Sequence, residues 1–258
     1  MLLNSVIIIL REVLEAALII SVLSALSQKL HVSRKWLIIA LLSGLIGAIT
    51  YAINIKVVSM ALDGVGQEVI NASLHLLIYS FIVLLILSLK DQSNHRLMVF
   101  AMVSSVAIAV VREGSEIIVY IDGFISSPEL LLPIIIGSAV GAGLGISIGV
   151  LFYYLIVNIS LNRAVKVGLI ILILIAGGMV SQAMQLLIQA DFIISQQPLW
   201  DSSSLINERS LLGQLLYALI GYESTPAPIQ FFCYAISLII TIILTTLTIR
   251  SYQQRPEL

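Results

Sequence analysis

The stretch that decides the fold is residues 3–26, LNSVIIILREVLEAALIISVLSAL. It is apolar apart from small polar side chains and three charged residues, Arg11, Glu12 and Glu15. A helix that crosses a bilayer needs about 20 mainly apolar residues, so this stretch predicts a membrane-spanning helix. It lacks the basic start of a cleaved signal peptide and carries its charges in mid-run, which favours a helix that is retained.

The composition of the whole chain is that of a membrane protein. Of its 258 residues, 59% are hydrophobic and 10% are charged, against about 45–50% and about 25% in soluble domains. Too few charged residues remain to cover the surface of a soluble protein of this length. The composition therefore excludes soluble enzymes, nucleic-acid-binding proteins and disordered proteins, and we expect no enzymatic activity.

Seven segments are long and apolar enough to span a membrane. They are about 3–26, 36–55, 69–89, 97–121, 130–157, 165–190 and 228–250. Because these runs are continuously apolar, they lack the alternating pattern of a membrane β-barrel. The predicted fold is all-α, a polytopic membrane protein with seven transmembrane helices that form a single domain, residues 1–258.

A second charged motif indicates an internal repeat. Residues 112–116 read Arg-Glu-Gly-Ser-Glu, about 101 positions after the Arg-Glu-Val-Leu-Glu of residues 11–15. The span after each motif has small residues at every fourth position, a pattern that lets helices pack closely in lipid. With three spans per copy, the second copy crosses the membrane in the opposite sense, so we expect a 3+3 inverted repeat plus a C-terminal helix. Its parts are repeat one at about 1–90, repeat two at about 96–190, an outer loop at 191–227 and the seventh helix at 228–250.

The charged residues between the spans predict the orientation. Nine Lys and Arg residues follow spans one, three, five and seven, and only Lys56 and Arg209 lie on the other side. Basic loops stay in the cytoplasm, so we expect a plasma (cell inner) membrane protein with its N-terminus outside and its C-terminus inside. Eight acidic residues map outside and two inside, which gives an outer face that attracts cations. An equal alternative is that the acids collect outside only because the bases are kept inside.

The two motifs place carboxylates inside the membrane. Inserting a charged residue at the centre of a membrane helix costs about 2.5–3.5 kcal/mol, so we expect the charged residues of the motifs to have a specific role. Positions i and i+3 share a helix face, which pairs Glu12 with Glu15 and Glu113 with Glu116. Carboxylate oxygens suit hard or borderline metal ions. If the two helices face each other, the four glutamates are predicted to bind a metal cation.

Arg11 and Arg112 each precede the second glutamate of their motif by four residues, which is salt-bridge spacing on a helix. We expect them to tune the charge of the site, leaving a formal charge of −2. Two alternatives remain open for the motifs. They could serve only as internal salt bridges, or they could form a diiron-carboxylate enzyme, which would instead show the Glu-x-x-His pairs that neither motif has.

Four further residues are candidates for outer capture of a cation or for its path. Glu68 begins span three and His75 lies within it, while Asp201 and Glu208 lie in the outer loop. Packing or hydrogen bonding is the alternative role of His75. The outer loop also has apolar residues at helical spacing between positions 211 and 220, which predicts a short amphipathic helix on the outer interface or tucked into it.

Taken together, these residues resemble a known family, the high-affinity iron permeases, which are oxidase-dependent iron transporters and include the EfeU type. Two Arg-Glu-x-x-Glu motifs in spans one and four are its signature. The similarity extends to Gln67-Glu68 and to the loop from Trp200-Asp201 to Gly221-Tyr222. The family's usual motif has Gly and then Leu between the glutamates, whereas this chain has Val13-Leu14 and Gly114-Ser115.

The resemblance implies iron uptake through the paired glutamates, with the iron ion as the transported substrate and no cofactor. It also implies an extracytoplasmic partner that oxidises or delivers iron, in addition to membrane lipid, and no nucleic acid. Two alternatives stay open. The chain could transport another divalent cation such as manganese, or it could be a non-transporting membrane scaffold subunit whose motifs serve only assembly.

Overall fold

The computed structural model describes residues 2–89 and 95–253 of the chain. Helix accounts for 81% of the residues, and the described residues contain no strand. The α-helices of the described part are α1 Leu2–Lys29, α2 Lys35–Ile53, α3 Ile55–Met60, α4 Gly66–Ser88, α5 His95–Asp122, α6 Pro128–Val157, α7 Leu161–Gln189, α8 Leu211–Ile220 and α9 Pro228–Gln253. Lys90, Asp91, Arg255 and Glu257, which enter the charge counts above, lie outside the described residues.

All seven predicted segments coincide with long helices, namely α1, α2, α4, α5, α6, α7 and α9. Six of them are long and apolar enough to cross a membrane, which confirms an all-helical polytopic chain. The helix outside this set is α1, because its apolar run contains Arg11, Glu12 and Glu15. Its 28 residues are nevertheless long enough for about 42 Å of helix.

Local signals set several helix ends. Pro128 and Pro228 begin α6 and α9, where the missing N–H of proline costs nothing. Ser210 caps α8, since its hydroxyl accepts a hydrogen bond of 3.0 Å from the Gly213 N–H. Gly221 ends α8 in the left-handed conformation, with φ of 64°, which favours glycine.

Small residues bring two pairs of helices into close contact. α1 runs parallel to α6, and α2 runs parallel to α5. A Cβ added at Gly141 of α6 would lie 3.0 Å from the backbone N of Leu10, and one added at Gly44 of α2 would lie 2.7 Å from the Val110 Cβ. Helix backbones approach this closely only where side chains are absent or small. The close packing fixes the positions of α1 and α5, the helices that carry the motifs.

The remaining long helices complete the bundle. α4 packs against α5 and α7, and α9 packs against α7 and α4. Successive long helices alternate in direction, so that α1, α4, α6 and α9 begin at one end of the bundle, called here the Leu2 end, and α2, α5 and α7 finish there. Buried apolar side chains such as Leu18, Ile82 and Leu172 fill the centre.

The short helix α8 is tucked into the Leu2 end and does not lie flat on it. It contacts α1 and α7, and a Cβ added at Gly178 of α7 would lie 2.9 Å from the backbone N of Gly221. Gly178 lies eleven residues before the last residue of α7, which is about 16 Å along the helix. The sequence left both placements open, and the second is the one observed.

Candidate metal site

Three of the four motif glutamates meet inside the bundle. One carboxylate oxygen from each of Glu12, Glu113 and Glu116 lies within 4.8 Å of the other two. Glu12 and Glu113 are buried, and the Glu116 side chain is 28% exposed. Glu12 Oε2 and Glu113 Oε2 are buried oxygens that accept no hydrogen bond. Because an unpaired buried acceptor is costly, a cation held among these carboxylates would satisfy them.

The fourth motif glutamate, Glu15, lies between the two arginines. Its Oε1 is 3.5 Å from Arg11 Nε, and its Oε2 is 3.3 Å from Arg112 Nη1. The Glu15 side chain is fully buried, at 0% exposure. The two motifs thus lie together in the bundle, with Glu15 turned toward guanidinium groups and the other three carboxylates turned toward one another.

The two arginines have different surroundings. Arg112 is 5% exposed and contacts three carboxylates, those of Glu15, Glu113 and Glu116, the last at 3.3 Å. Arg11 is 35% exposed, and its Nε is 4.0 Å from Glu12 Oε1. Arg11 Nη2 donates a hydrogen bond of 2.7 Å to the hydroxyl of Tyr217. Its Cζ lies 4.0 Å from the centre of the Tyr217 ring, which is a cation–π contact.

A partly open cavity reaches the carboxylates from the Leu2 end. Its volume is about 360 Å³, and both Glu12 and Glu116 line it. Closer to the mouth it is lined by Glu68 at the start of α4 and by Gln189 at the end of α7. A water molecule takes about 30 Å³ of liquid, so the cavity has room for a hydrated cation.

The four candidates for outer capture or path have separate positions. Glu68 lines the cavity, and its Oε2 is buried without a hydrogen-bond partner. His75 is fully buried in α4, and neither of its ring nitrogens has a hydrogen-bond partner. Asp201 and Glu208 are not among the residues that line this cavity.

The two loop acids have hydrogen bonds of their own. Asp201 is exposed, and hydrogen bonds from the side chain and backbone of Ser203 lower its pKa. Glu208 Oε1 accepts hydrogen bonds from the backbone N–H and the hydroxyl of Ser224, at 2.5 and 2.6 Å. Glu208 therefore ties the loop before α8 to the segment after it.

Two residues that contact the motif side chains, Asn71 and Tyr217, were not predicted as site residues. Asn71 donates a hydrogen bond of 3.1 Å to Glu116 Oε1 and accepts one of 3.1 Å from the Tyr51 hydroxyl. Its position three residues after Glu68 puts both on one face of α4, a signal that could have identified it. Tyr217 is 206 positions from Arg11, and no local spacing points to that contact.

A partly buried carboxylate, that of Glu223, lies just after α8, outside the long helices. Glu223 accepts a hydrogen bond of 2.9 Å from Gln185 of α7 and another from Gln230 of α9. Burial raises the pKa of Glu223. Since amide donors already surround this carboxylate, its evident task is to tie α7, α9 and the segment after α8 together.

In a comparison with known protein families, the chain matches the family described as Iron permease FTR1 family over residues 2–255. No curated protein and no solved structure matches the chain significantly. The family match covers both motifs, all the long helices and α8.

Proposed function

Because this chain belongs to the Iron permease FTR1 family, we propose that it moves iron ions into the cytoplasm through the paired glutamates of its two motifs. Membership supports an iron permease role in a multi-pass membrane protein, and the family is one of transporters rather than enzymes. The observation that carries the glutamate site is the convergence of Glu12, Glu113 and Glu116 within 4.8 Å inside a bundle of membrane helices. We assign Glu15 to the same site as the carboxylate that holds the arginines.

The charge of the site suits a cation that must bind and then leave. Four glutamates and two arginines give a formal charge of −2, which Fe(II) would neutralise and Fe(III) would leave at +1. Without Arg11 and Arg112, the carboxylates would repel one another and take up protons in a low-dielectric interior. The arginines therefore tune the charge, so that the site attracts iron without trapping it.

The proposed architecture has seven membrane spans, with α1 as the first, in a 3+3 inverted repeat followed by α9. Reciprocal packing supports it, since α1 of the first repeat packs on α6 of the second, and α5 packs on α2. The motifs contact their partner helices in matching ways. A Cβ at Gly145 would be 2.9 Å from the Val13 Cγ1, and a Cβ at Gly114 would be 3.0 Å from the Ala48 Cβ.

The proposed path begins at an extracytoplasmic Leu2 end of the bundle in the plasma membrane. The cavity there leads from Glu68 to Glu116 and Glu12, so Glu68 is the favoured capture residue. Asp201 is exposed and free of ion pairs to the described residues, which suits an encounter with a protein that oxidises or delivers iron. His75 lies deeper on α4 and is proposed as a later part of the path.

Radioactive iron uptake into proteoliposomes tests this function. Glu12→Gln, Glu113→Gln and Glu116→Gln each keep the side-chain shape and remove the charge, so each should abolish uptake while the protein still inserts. Glu129→Gln is a matched control, because Glu129 is exposed in the first turn of α6, away from the cavity lining. Wild-type uptake by the three motif variants would contradict the glutamate site. Uptake of manganese but not iron by the wild type would contradict iron as the substrate.

A further inference from the structure

Arg11 and Arg112 occupy equivalent positions in the two motifs but are not held alike. Arg112 is enclosed by carboxylates, with Glu15 and Glu116 both at 3.3 Å. The shortest polar contact of Arg11 is instead a neutral phenol, the Tyr217 hydroxyl at 2.7 Å. Its nearest carboxylate is Glu15 at 3.5 Å, and Glu12 is farther away at 4.0 Å.

Tyr217 is placed there by the way α8 enters the bundle. The close approach of Gly178 and Gly221 lets the end of α8 lie against α7. Gly213 and Ala218 are buried on the same short helix, and a Cβ added at Gly213 would clash with the Asn207 carbonyl oxygen, so the start of α8 packs against the loop that precedes it. The packing of α8 therefore places Tyr217 beside Arg11. The Tyr217 hydroxyl accepts a hydrogen bond from the guanidinium, and the centre of the Tyr217 ring lies 4.0 Å from Arg11 Cζ.

We propose that Tyr217 is a positioning residue of the cation site, which holds the Arg11 guanidinium toward α8 and so keeps a carboxylate oxygen of Glu12 available to the cation. This inference rests on the proposed function. Glu12 Oε2 is buried without a hydrogen-bond partner, and Arg11 Nε lies 4.0 Å from the other oxygen of the same carboxylate. Arg forms strong bidentate pairs with carboxylates, and the Tyr217 hydroxyl competes for one of its donors.

Loss of that hydroxyl should let Arg11 pair fully with Glu12. A ligand oxygen would then be occupied by a fixed positive charge, and the cation would bind more weakly. Loss of this charge-assisted hydrogen bond in Tyr217→Phe should raise the dissociation constant for Fe²⁺ by about tenfold, which corresponds to about 1.4 kcal/mol. The KM for uptake should rise in parallel, with little change in the maximal rate.

A double-mutant cycle tests this inference on the full chain in nanodiscs, with anaerobic Fe²⁺ as the probe. Fe²⁺ affinity is measured for the wild type, Tyr217→Phe, Arg11→Gln and the double variant. If Tyr217 acts through Arg11, Tyr217→Phe should change the dissociation constant less than twofold in the Arg11→Gln background. An equal loss of affinity in both backgrounds would overturn the inference, as would no loss in either.

Tyr222→Phe is the matched control. The Tyr222 hydroxyl contacts Ser202 and the Ile206 carbonyl of the outer loop, so its loss perturbs the same region without touching Arg11. We expect wild-type Fe²⁺ affinity for this variant, and a loss equal to that of Tyr217→Phe would overturn the inference. The two hypotheses fail differently. If the wild type binds no Fe²⁺, the proposed function fails, whereas normal binding by Tyr217→Phe contradicts the positioning role alone.

Discussion

At the scale of single residues, Glu12 and Glu15 lie one turn apart on α1, and the groups that surround them carry opposite charges. Glu12 faces two other carboxylates, while Glu15 faces two guanidiniums. The sequence predicted that both share a helix face, because i and i+3 neighbours always do. Which of them meets Glu113 depends on the rotation and height of α5 beside α1, and no spacing within either motif specifies that.

This difference predicts opposite effects on stability. Glu15→Gln leaves two buried or half-buried guanidiniums without their shared partner, and loss of a buried ion-pair partner costs about 3 kcal/mol. Glu12→Gln removes a charge from a crowded group of carboxylates, so stability should stay equal or rise. Thermal unfolding in detergent should show a melting temperature several degrees lower for Glu15→Gln than for Glu12→Gln. Equal melting temperatures would contradict the division of roles.

At the scale of helices, the two motifs contact their partner helices through side chains of different size. Val13 of the first motif faces Gly145 of α6, whereas Gly114 of the second faces Ala48 of α2. A large residue therefore meets the smallest one, and a glycine meets an alanine. The sequence shows both small-residue stripes and the Val13 difference, but only the packing shows that one compensates for the other.

Gly145→Ala tests this packing. The added Cβ would lie 2.9 Å from the Val13 Cγ1, and such overpacking costs about 1–3 kcal/mol. Stability and uptake should both fall, and the double variant Val13→Gly with Gly145→Ala should recover most of each, since it copies the Gly114 and Ala48 pair.

Gly143→Ala is the control for a glycine on the same helix, because a Cβ there would meet nothing within 4 Å. It should leave stability and uptake unchanged. If Gly145→Ala behaves like Gly143→Ala, the α1–α6 contact does not position the first motif.

At the scale of the whole molecule, the sequence predicted the long helices well. It did not predict the long-range contacts of α8 with the first motif. The seven apolar runs predicted the long helices within a few residues, because a continuously apolar run of this length satisfies its backbone inside a bilayer as a helix. The amphipathic pattern of residues 211–220 also predicted α8. Its depth beside α7 depends on the approach of Gly178 and Gly221, and the contact of Tyr217 with Arg11 joins residues 206 positions apart. Such long-range contacts have no periodic signal.

The orientation of the chain is testable by cysteine labelling in a Cys233→Ser background. Ser203 lies in the exposed loop before α8, and Ser33 lies exposed between α1 and α2 at the opposite end of the bundle. The positive-inside rule predicts that an impermeant reagent added outside labels Ser203→Cys but not Ser33→Cys. The reverse pattern would place the cavity and Glu68 on the cytoplasmic side and contradict uptake through them.

The most direct measurement is the position of bound iron in the protein itself, read from anomalous scattering at the iron absorption edge in crystals grown with Fe²⁺. Iron binding by the motif glutamates predicts a single strong peak within the bundle, coordinated by oxygens of Glu12, Glu113 and Glu116 at the inner end of the cavity, and no such peak for Glu12→Gln. Iron bound elsewhere in the bundle, with these three carboxylates unoccupied in a protein that transports iron, would contradict it.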